Sequence, residues 1–216
     1  MLNFERVDPT PMSRSFALVP AAGHSTRMGQ PKLLMPLGDR PLILHSIDAW
    51  QRSRIDRIVV VVRSGDDVLA KVVRRAGVDL VVPGVPPPDM KASLQAVLRY
   101  IEQSFAPTGD DAFLVAPADM PRLSAAVINR LLDEHCARGE SSILIPTIAG
   151  RRGHPVLFPW SLAAEVHGLK ADEGLNAIVE RQNRRQIPCE DLAADNEYPF
   201  ADIDTPEDFR RLGGHP

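Results

Sequence analysis

Phe16-Ala-Leu-Val-Pro-Ala-Ala-Gly-His-Ser-Thr-Arg-Met-Gly-Gln-Pro-Lys32 begins as a short apolar run and breaks into small residues, glycines, hydroxyls and two cations. An apolar strand that ends in Ala21, Ala22 and Gly23 lets a ligand approach its backbone closely. Gly23 and Gly29 can take φ > 0, so successive N–H groups can turn toward one concave anion site. Ser25 and Thr26 add hydroxyl donors beside His24, and Arg27 and Lys32 add cations that can neutralise part of a polyphosphate. The turn lacks the Gly-Lys-Ser/Thr ending of a Walker loop and the Gly-x-Gly-x-x-Gly of a dinucleotide fingerprint. The competing reading is a solvated surface turn; the order of residue types after an apolar strand favours a phosphate grip.

Outward from this stretch, apolar runs alternate with helical patterns. Strands are expected at Ser15 to Val19, Arg57 to Val62, Asp79 to Val82, Asp111 to Val115 and Ser141 to Ile145. Helices are expected at Pro41 to Gln51, Gly65 to Arg75, Lys91 to Gln103 and Ser124 to Arg138, the last with Ser124 as N-cap. Val-Val-Val-Val at 59–62 reads as a strand covered on both faces. The alternation implies an α/β fold of three layers, α/β/α, with a mostly parallel, Rossmann-like sheet. Residues 1–14 read as a loose leader and 15–216 as one domain. Within it, 15–145 carry this alternation, and 146–216 break the rhythm and read as a substrate-covering subregion, with strands at Gly153 to Phe158, Arg185 to Pro188 and Ala201 to Ile203. Helices are expected there at Gly174 to Gln182 and Pro206 to Leu212. The Pro-dense segment 83–89 reads as a stiff loop beside the site.

With 216 residues and a formal charge of −3, the chain is long enough for a sizeable core and carries no basic field for nucleic acid. Cys136 and Cys189, scattered and without ligand spacing, fit a reducing compartment. No apolar run is long enough to span a bilayer, and the N-terminus has no secretory core, so a soluble cytoplasmic protein is expected.

Two carboxylate positions stand out. Asp119 follows the apolar Phe113-Leu-Val-Ala116 and should emerge at the strand edge, on the same edge as the Gly-rich turn. Its alternative is a turn or cap. Asp202 and Asp204 lie two apart on an expected strand, so both would point one way and call for a cation. Asp204 also reads as the cap of the last helix.

Four segments in order, Pro20-Ala-Ala-Gly-His-Ser-Thr-Arg-Met-Gly-Gln-Pro-Lys32, Ala118-Asp-Met-Pro121, Gly150-Arg-Arg-Gly-His-Pro-Val-Leu-Phe158 and Ala201-Asp-Ile-Asp-Thr-Pro-Glu-Asp-Phe209, resemble the molybdenum cofactor nucleotidyltransferases. The resemblance is to their cytidylyltransferase-like branch, within the glycosyltransferase-A-like superfamily, and spans residues 15 to 212. It implies transfer of a nucleoside monophosphate from an NTP to a phosphate-bearing acceptor, with Mg2+ as cofactor and pyrophosphate released. Under it, Arg27, Lys32 and Asp119 are catalytic. Ala21, Ala22, Gly23, His24, Ser25, Thr26, Gly29, Ser93 and His154 bind substrate, and Asp119, Asp202 and Asp204 are metal candidates. The implied nucleotide is CTP, since Ala22 stands where the guanylyl branch more often has Gly. GTP stays open because Ala-Asp-Met-Pro resembles that branch. The implied acceptor is molybdopterin, with a molybdoenzyme as recipient of the product. Asp172-Glu-Gly-Leu-Asn176 lacks the Arg that often follows the family's matching loop. A sugar- or alcohol-phosphate nucleotidyltransferase and a cofactor-binding chaperone are the competing readings.

Overall fold

The computed structural model describes residues 13–23, 29–138, 141–192, 200, 202–203 and 205–212. Its strands are β1 (Ser15–Ala21), β2 (Pro36–Leu37), β3 (Arg40–Pro41), β4 (Arg57–Val62), β5 (Asp79–Val81), β6 (Ala112–Val115), β7 (Ile143–Ile148), β8 (Arg151–Arg152), β9 (Val156–Pro159) and β10 (Arg184–Pro188). Its helices are α1 (Leu42–Gln51), α2 (Asp67–Arg75), α3 (Met90–Phe105), α4 (Ala125–Arg138), α5 (Ala163–His167), α6 (Leu175–Arg181) and α7 (Pro206–Arg211).

Eight strands form one sheet in the order β10-β7-β9-β6-β1-β4-β5, with β8 paired to β7. The pairs β1–β4, β1–β6, β4–β5 and β10–β7 are parallel, while β9 runs antiparallel between β6 and β7. Helices cover both faces, so the expected mostly parallel α/β/α architecture is what the chain adopts. Period-2 alternation divides each central strand between two cores. Ala17, Val19, Val60, Val62 and Leu114 join α1, α2 and α4 on one face. Phe16, Leu18, Val59, Val61 and Phe113 join α3, α5 and α6 on the other. All four valines of 59–62 are fully buried, as a strand sandwiched between helical layers requires. On α3, Leu94, Val97, Leu98 and Ile101 are buried at helical spacing, each worth about 1.5–3 kcal/mol of apolar transfer.

Local signals place the helix starts. Asp66 and Asp89 accept the N–H groups of Leu69 (3.2 Å) and Ala92 (2.7 Å), and Ser124 Oγ accepts that of Val127 (3.4 Å). Several expectations change: the strand expected at Ser141 to Ile145 runs from Ile143 to Ile148, and the one expected at Gly153 to Phe158 runs from Val156 to Pro159. β1 runs two residues past Val19, to Ala21, because it pairs with β4 beyond the point where β6 ends. Residues 202 and 203 are not in a strand; Ile203 instead makes isolated bonds to the site described below. The cap of α7 is Thr205, in a reciprocal capping box with Asp208, so that role does not fall to Asp204.

Candidate active site

The sheet reverses direction around β1. The chain runs outward from β1 to β4 and β5, then crosses back to β6 on the other side of β1, which opens a crevice at the carboxyl ends of β1 and β6. Ala118 N–H donates to the Pro20 carbonyl (3.4 Å), tying the two strand exits together. Beyond β1, Gly29 takes φ +66°, and the chain closes a 3-10 turn at Lys32–Leu34, with Leu34 N–H on Pro31 O (2.9 Å). Leu33 is buried beneath this turn, which turns Lys32 back across the crevice. There Lys32 Nζ donates to Asp119 Oδ2 at 2.6 Å and to the Ile203 carbonyl at 2.5 Å. The pair is largely withdrawn from water, with side-chain exposures of 11% and 18%. A lysine from the Gly-rich turn and a carboxylate from beyond β6 thus share one point, 87 residues apart in sequence.

Residues 17–186 match the family described as the MobA-like NTP transferase domain. The chain belongs to that family. Among its relatives are the purine catabolism protein PucB of Bacillus subtilis, 27% identical over 88% of this chain and 91% of PucB, and a probable molybdenum cofactor guanylyltransferase of Bacillus mycoides, 24% identical over 92% and 95%. The 2-C-methyl-D-erythritol 4-phosphate cytidylyltransferase of Ralstonia nicotianae is 35% identical over 63% of this chain and 56% of its own length. Rv0371c of Mycobacterium tuberculosis superposes with a TM-score of 0.74 at 26% identity, covering 94% of this chain and 98% of its own, and has also been solved with manganese.

In this MobA-like chain, a cleft of about 190 Å³ borders Asp119, walled by Pro20, Ala21, Ala22, Gly23, Ser93, Ala118 and the Pro87-Pro88-Asp89-Met90 segment. Ala21, Ala22, Gly23, Ser93 and Asp119 are therefore brought together as expected. Ser93 is buried, and its hydroxyl donates to the Asp89 carbonyl (3.1 Å), leaving its lone pairs for a ligand. Gly23 lines the cleft without positive φ, unlike Gly29. His24, Ser25, Thr26, Arg27 and Asp204 lie outside the described residues.

Whether these residues suit a divalent cation turns on Asp119. Its Oδ1 is buried and has no hydrogen-bond partner among the described residues. An orphaned carboxylate oxygen beside an open cleft fits a hard cation, which asks for few protein oxygens when substrate phosphate supplies others. Among the described residues no group of three or more ligating side chains forms an all-protein cage. Asp202 is exposed.

On the β9 side, His154 Nδ1 lies 3.3 Å from the Val115 carbonyl. A carbonyl only accepts, so Nδ1 carries the proton and Nε2 is the open acceptor. Burial pushes the His154 pKa below the usual histidine value, against the Val115 carbonyl and the nearby charges of Asp202 and Asp119, which raise it. The ring borders a second cleft of about 330 Å³, walled mainly by Leu94, Val115, Val156, Phe158, Leu175 and Val179. Met90 and Pro117 border both clefts, so the two are contiguous. The Asp172–Asn176 loop reaches it too: Lys91 Nζ donates to the Lys170 (2.5 Å) and Ala171 (2.8 Å) carbonyls, and Gly174 and Asn176 line the wall. Arg152 is exposed on β8.

Sequence reasoning missed two participants. The Ile203 carbonyl holds Lys32, and no side-chain pattern announces a backbone acceptor. Phe200 lies against Gly153, where an added Cβ would come within 2.0 Å of its ring. The glycine before His154 was the available signal, since a close aromatic approach needs one.

Proposed function

We propose that this protein transfers a nucleoside monophosphate, CMP from CTP, to a phosphate-bearing acceptor of the molybdopterin type, releasing pyrophosphate. The observation that carries the reading is the 2.6 Å approach of Lys32 Nζ to Asp119 at the carboxyl ends of β1 and β6, beside the cleft lined by the Ala21–Gly23 turn. An acceptor phosphate oxygen bonds to the α-phosphorus as the bond to the bridging oxygen breaks, and pyrophosphate leaves in line. Such displacement depends on positioning and charge neutralisation.

Lys32 sits where it can move from Asp119 onto the α-phosphate as charge grows there. Arg27 is assigned to the β- and γ-phosphates, and the amides of the Gly23–Gly29 turn to the leaving group. Bound Mg2+ would neutralise phosphate charge from Asp119 Oδ1, with Asp202 or Asp204 as a further oxygen source. His154, neutral at pH 7, keeps its Nε2 lone pair toward the second cleft and can accept from an acceptor N–H or O–H. That cleft is walled by apolar side chains, which suits a ring system better than a polyol, whose hydroxyls would go unpaired. The Ala22 methyl in the first cleft supports a pyrimidine, where Gly would leave room for a purine.

Pyrophosphate release from CTP and GTP, each with molybdopterin and with a panel of sugar and alcohol phosphates, tests the reading. It requires turnover with CTP and molybdopterin. Turnover only with GTP would transfer the assignment to the guanylyl branch. Turnover only with a polyol phosphate would overturn the acceptor, and none with any nucleotide would overturn the whole.

A further inference from the structure

Lys91 lines the second cleft and has no role in the transfer chemistry assigned so far. It stands on the first turn of α3, directly after Met90, the residue that borders both clefts. Its half-buried side chain crosses to the loop before α6, where Nζ donates to the carbonyls of Lys170 (2.5 Å) and Ala171 (2.8 Å). An ammonium carries three donors, so two neutral carbonyls leave one N–H and the whole positive charge unmatched. No carboxylate among the described residues pairs with it. The nearby ones are engaged elsewhere: Asp89 accepts from the Ala92 N–H, and Glu173 accepts from the Lys170 N–H and pairs with Arg181. Among the described residues lining this cleft, Lys91 is the one standing cation, since His154 is neutral at pH 7.

We infer that Lys91 is the anion anchor of the second cleft, and that the cleft takes an apolar ring carrying a phosphate monoester. The chemistry of the lining is divided. Leu94, Val156, Phe158 and Leu175 offer no partner to a polar body, and the charge of the wall is confined to Lys91. A monoester brings several acceptor oxygens to the remaining N–H. It can also take over from a carbonyl, because an ammonium bonds an anion more strongly than a neutral acceptor. The anchor stands on the turn of α3 that the two clefts share through Met90. Naming the anion as the acceptor's phosphate rests on the nucleotidyl-transfer reading, whereas the anchor itself does not.

Two probes that differ only in the anion, 1-naphthyl phosphate and 1-naphthol, test this by equilibrium dialysis against the full chain. The native protein should bind the phosphate about fivefold to tenfold tighter than the naphthol at low salt, the scale of one charge-assisted contact at a partly solvated rim. Added salt should narrow the gap. Lys91→Met should close it to within about twofold and leave naphthol near its native affinity, because only the charge contact is lost. Lys91→Gln, which keeps an N–H for one loop carbonyl, should behave alike and stands in if Lys91→Met does not fold. Lys91→Arg should keep the gap. Equal affinity of both probes for the native chain overturns the inference. So does an equal loss of both in Lys91→Met and Lys91→Gln, which would make the ammonium a clamp on the loop and nothing more. A gap that survives Lys91→Met and vanishes in Lys32→Met would seat the phosphate in the other cleft and overturn it too. In turnover, Lys91→Met should raise the acceptor KM about fivefold and leave the nucleotide KM unchanged. Closure of the gap in a chain that turns over no nucleotide would keep the anchor and remove the transferase reading, whereas turnover with an unmoved acceptor KM would keep that reading and remove the anchor.

Discussion

Replacing Lys32 by Met separates the structural from the chemical work of its ammonium. Met keeps the apolar stem beneath the turn and deletes the charge, so Asp119 Oδ2 loses its 2.6 Å donor while Oδ1 already has none among the described residues. Removing one partner of a fully buried ion pair costs roughly 3–5 kcal/mol. With side chains 11% and 18% exposed, water recovers part of that, which brings the expectation to about 2 kcal/mol. For a chain of this size, each kcal/mol moves Tm by about 2–4 °C, so Lys32→Met should melt roughly 4–8 °C below the native protein in chelator. Millimolar Mg2+ should return a good part of the difference, because a cation on Asp119 replaces the missing ammonium. Turnover, by contrast, should stay down about a hundredfold or more with Mg2+ present, since a metal on Asp119 does not supply the α-phosphate donor. Calorimetric melts with chelator and with Mg2+, beside pyrophosphate release, measure both. A native Tm in chelator would show that the pair is not the buried contact described, and native turnover would remove Lys32 from the chemistry.

Asp119→Ala should abolish magnesium-dependent pyrophosphate release while leaving Lys32 on the Ile203 carbonyl; residual magnesium-dependent turnover would exclude this ligand. Gly153→Ala should destabilise the chain by about 1–3 kcal/mol, the range for overpacking, as its Cβ drives Phe200 off its seat, and a native denaturant midpoint would contradict that contact. The partly buried His135 and His154 both have pKa values below the ordinary 6.5, so the folded state binds fewer protons than the unfolded chain. Their contribution is complete above pH about 6.5 and is lost as pH falls through their folded values, so unfolding free energy should decline below that pH, less steeply in His135→Gln.

The sheet was readable because its strands are buried on both faces and therefore spell near-continuous apolar runs, Val59 to Val62 most clearly. The antiparallel insertion of β9 was not, because strand order is settled by long-range pairing and not by any local period. Lys32 and Asp119 were legible from residue type and strand position. Asp202 misled: its alternation with Asp204 suggested a strand, but the segment is held by the isolated bonds of Ile203 and by Thr205 starting α7 one residue past Asp204. Helix starts were legible to within a few residues, since Asp89 and Ser124 carry their capping chemistry in their side chains.

The antiparallel β9 explains why the cleft beside Asp119 and the apolar cleft share a wall. A parallel neighbour would reach β6 through a crossover, and its own carboxyl end would extend the same edge of loops. β9 instead enters the sheet at that edge, so the residues just before it, Gly153 and His154, stand beside the exit of β6, where Val115 pairs with Val156. His154 is then held on the Val115 carbonyl, four residues ahead of Asp119. Any acceptor seated against His154 therefore lies next to the carboxylate and, through Ile203, next to Lys32. Reversing one strand places the two clefts, and with them the two proposed substrate sites, side by side. It follows that His154→Ala should raise the acceptor KM severalfold more than the nucleotide KM, because the ring borders the second cleft and not the first; an equal rise in both would mean that the clefts are not divided between the substrates.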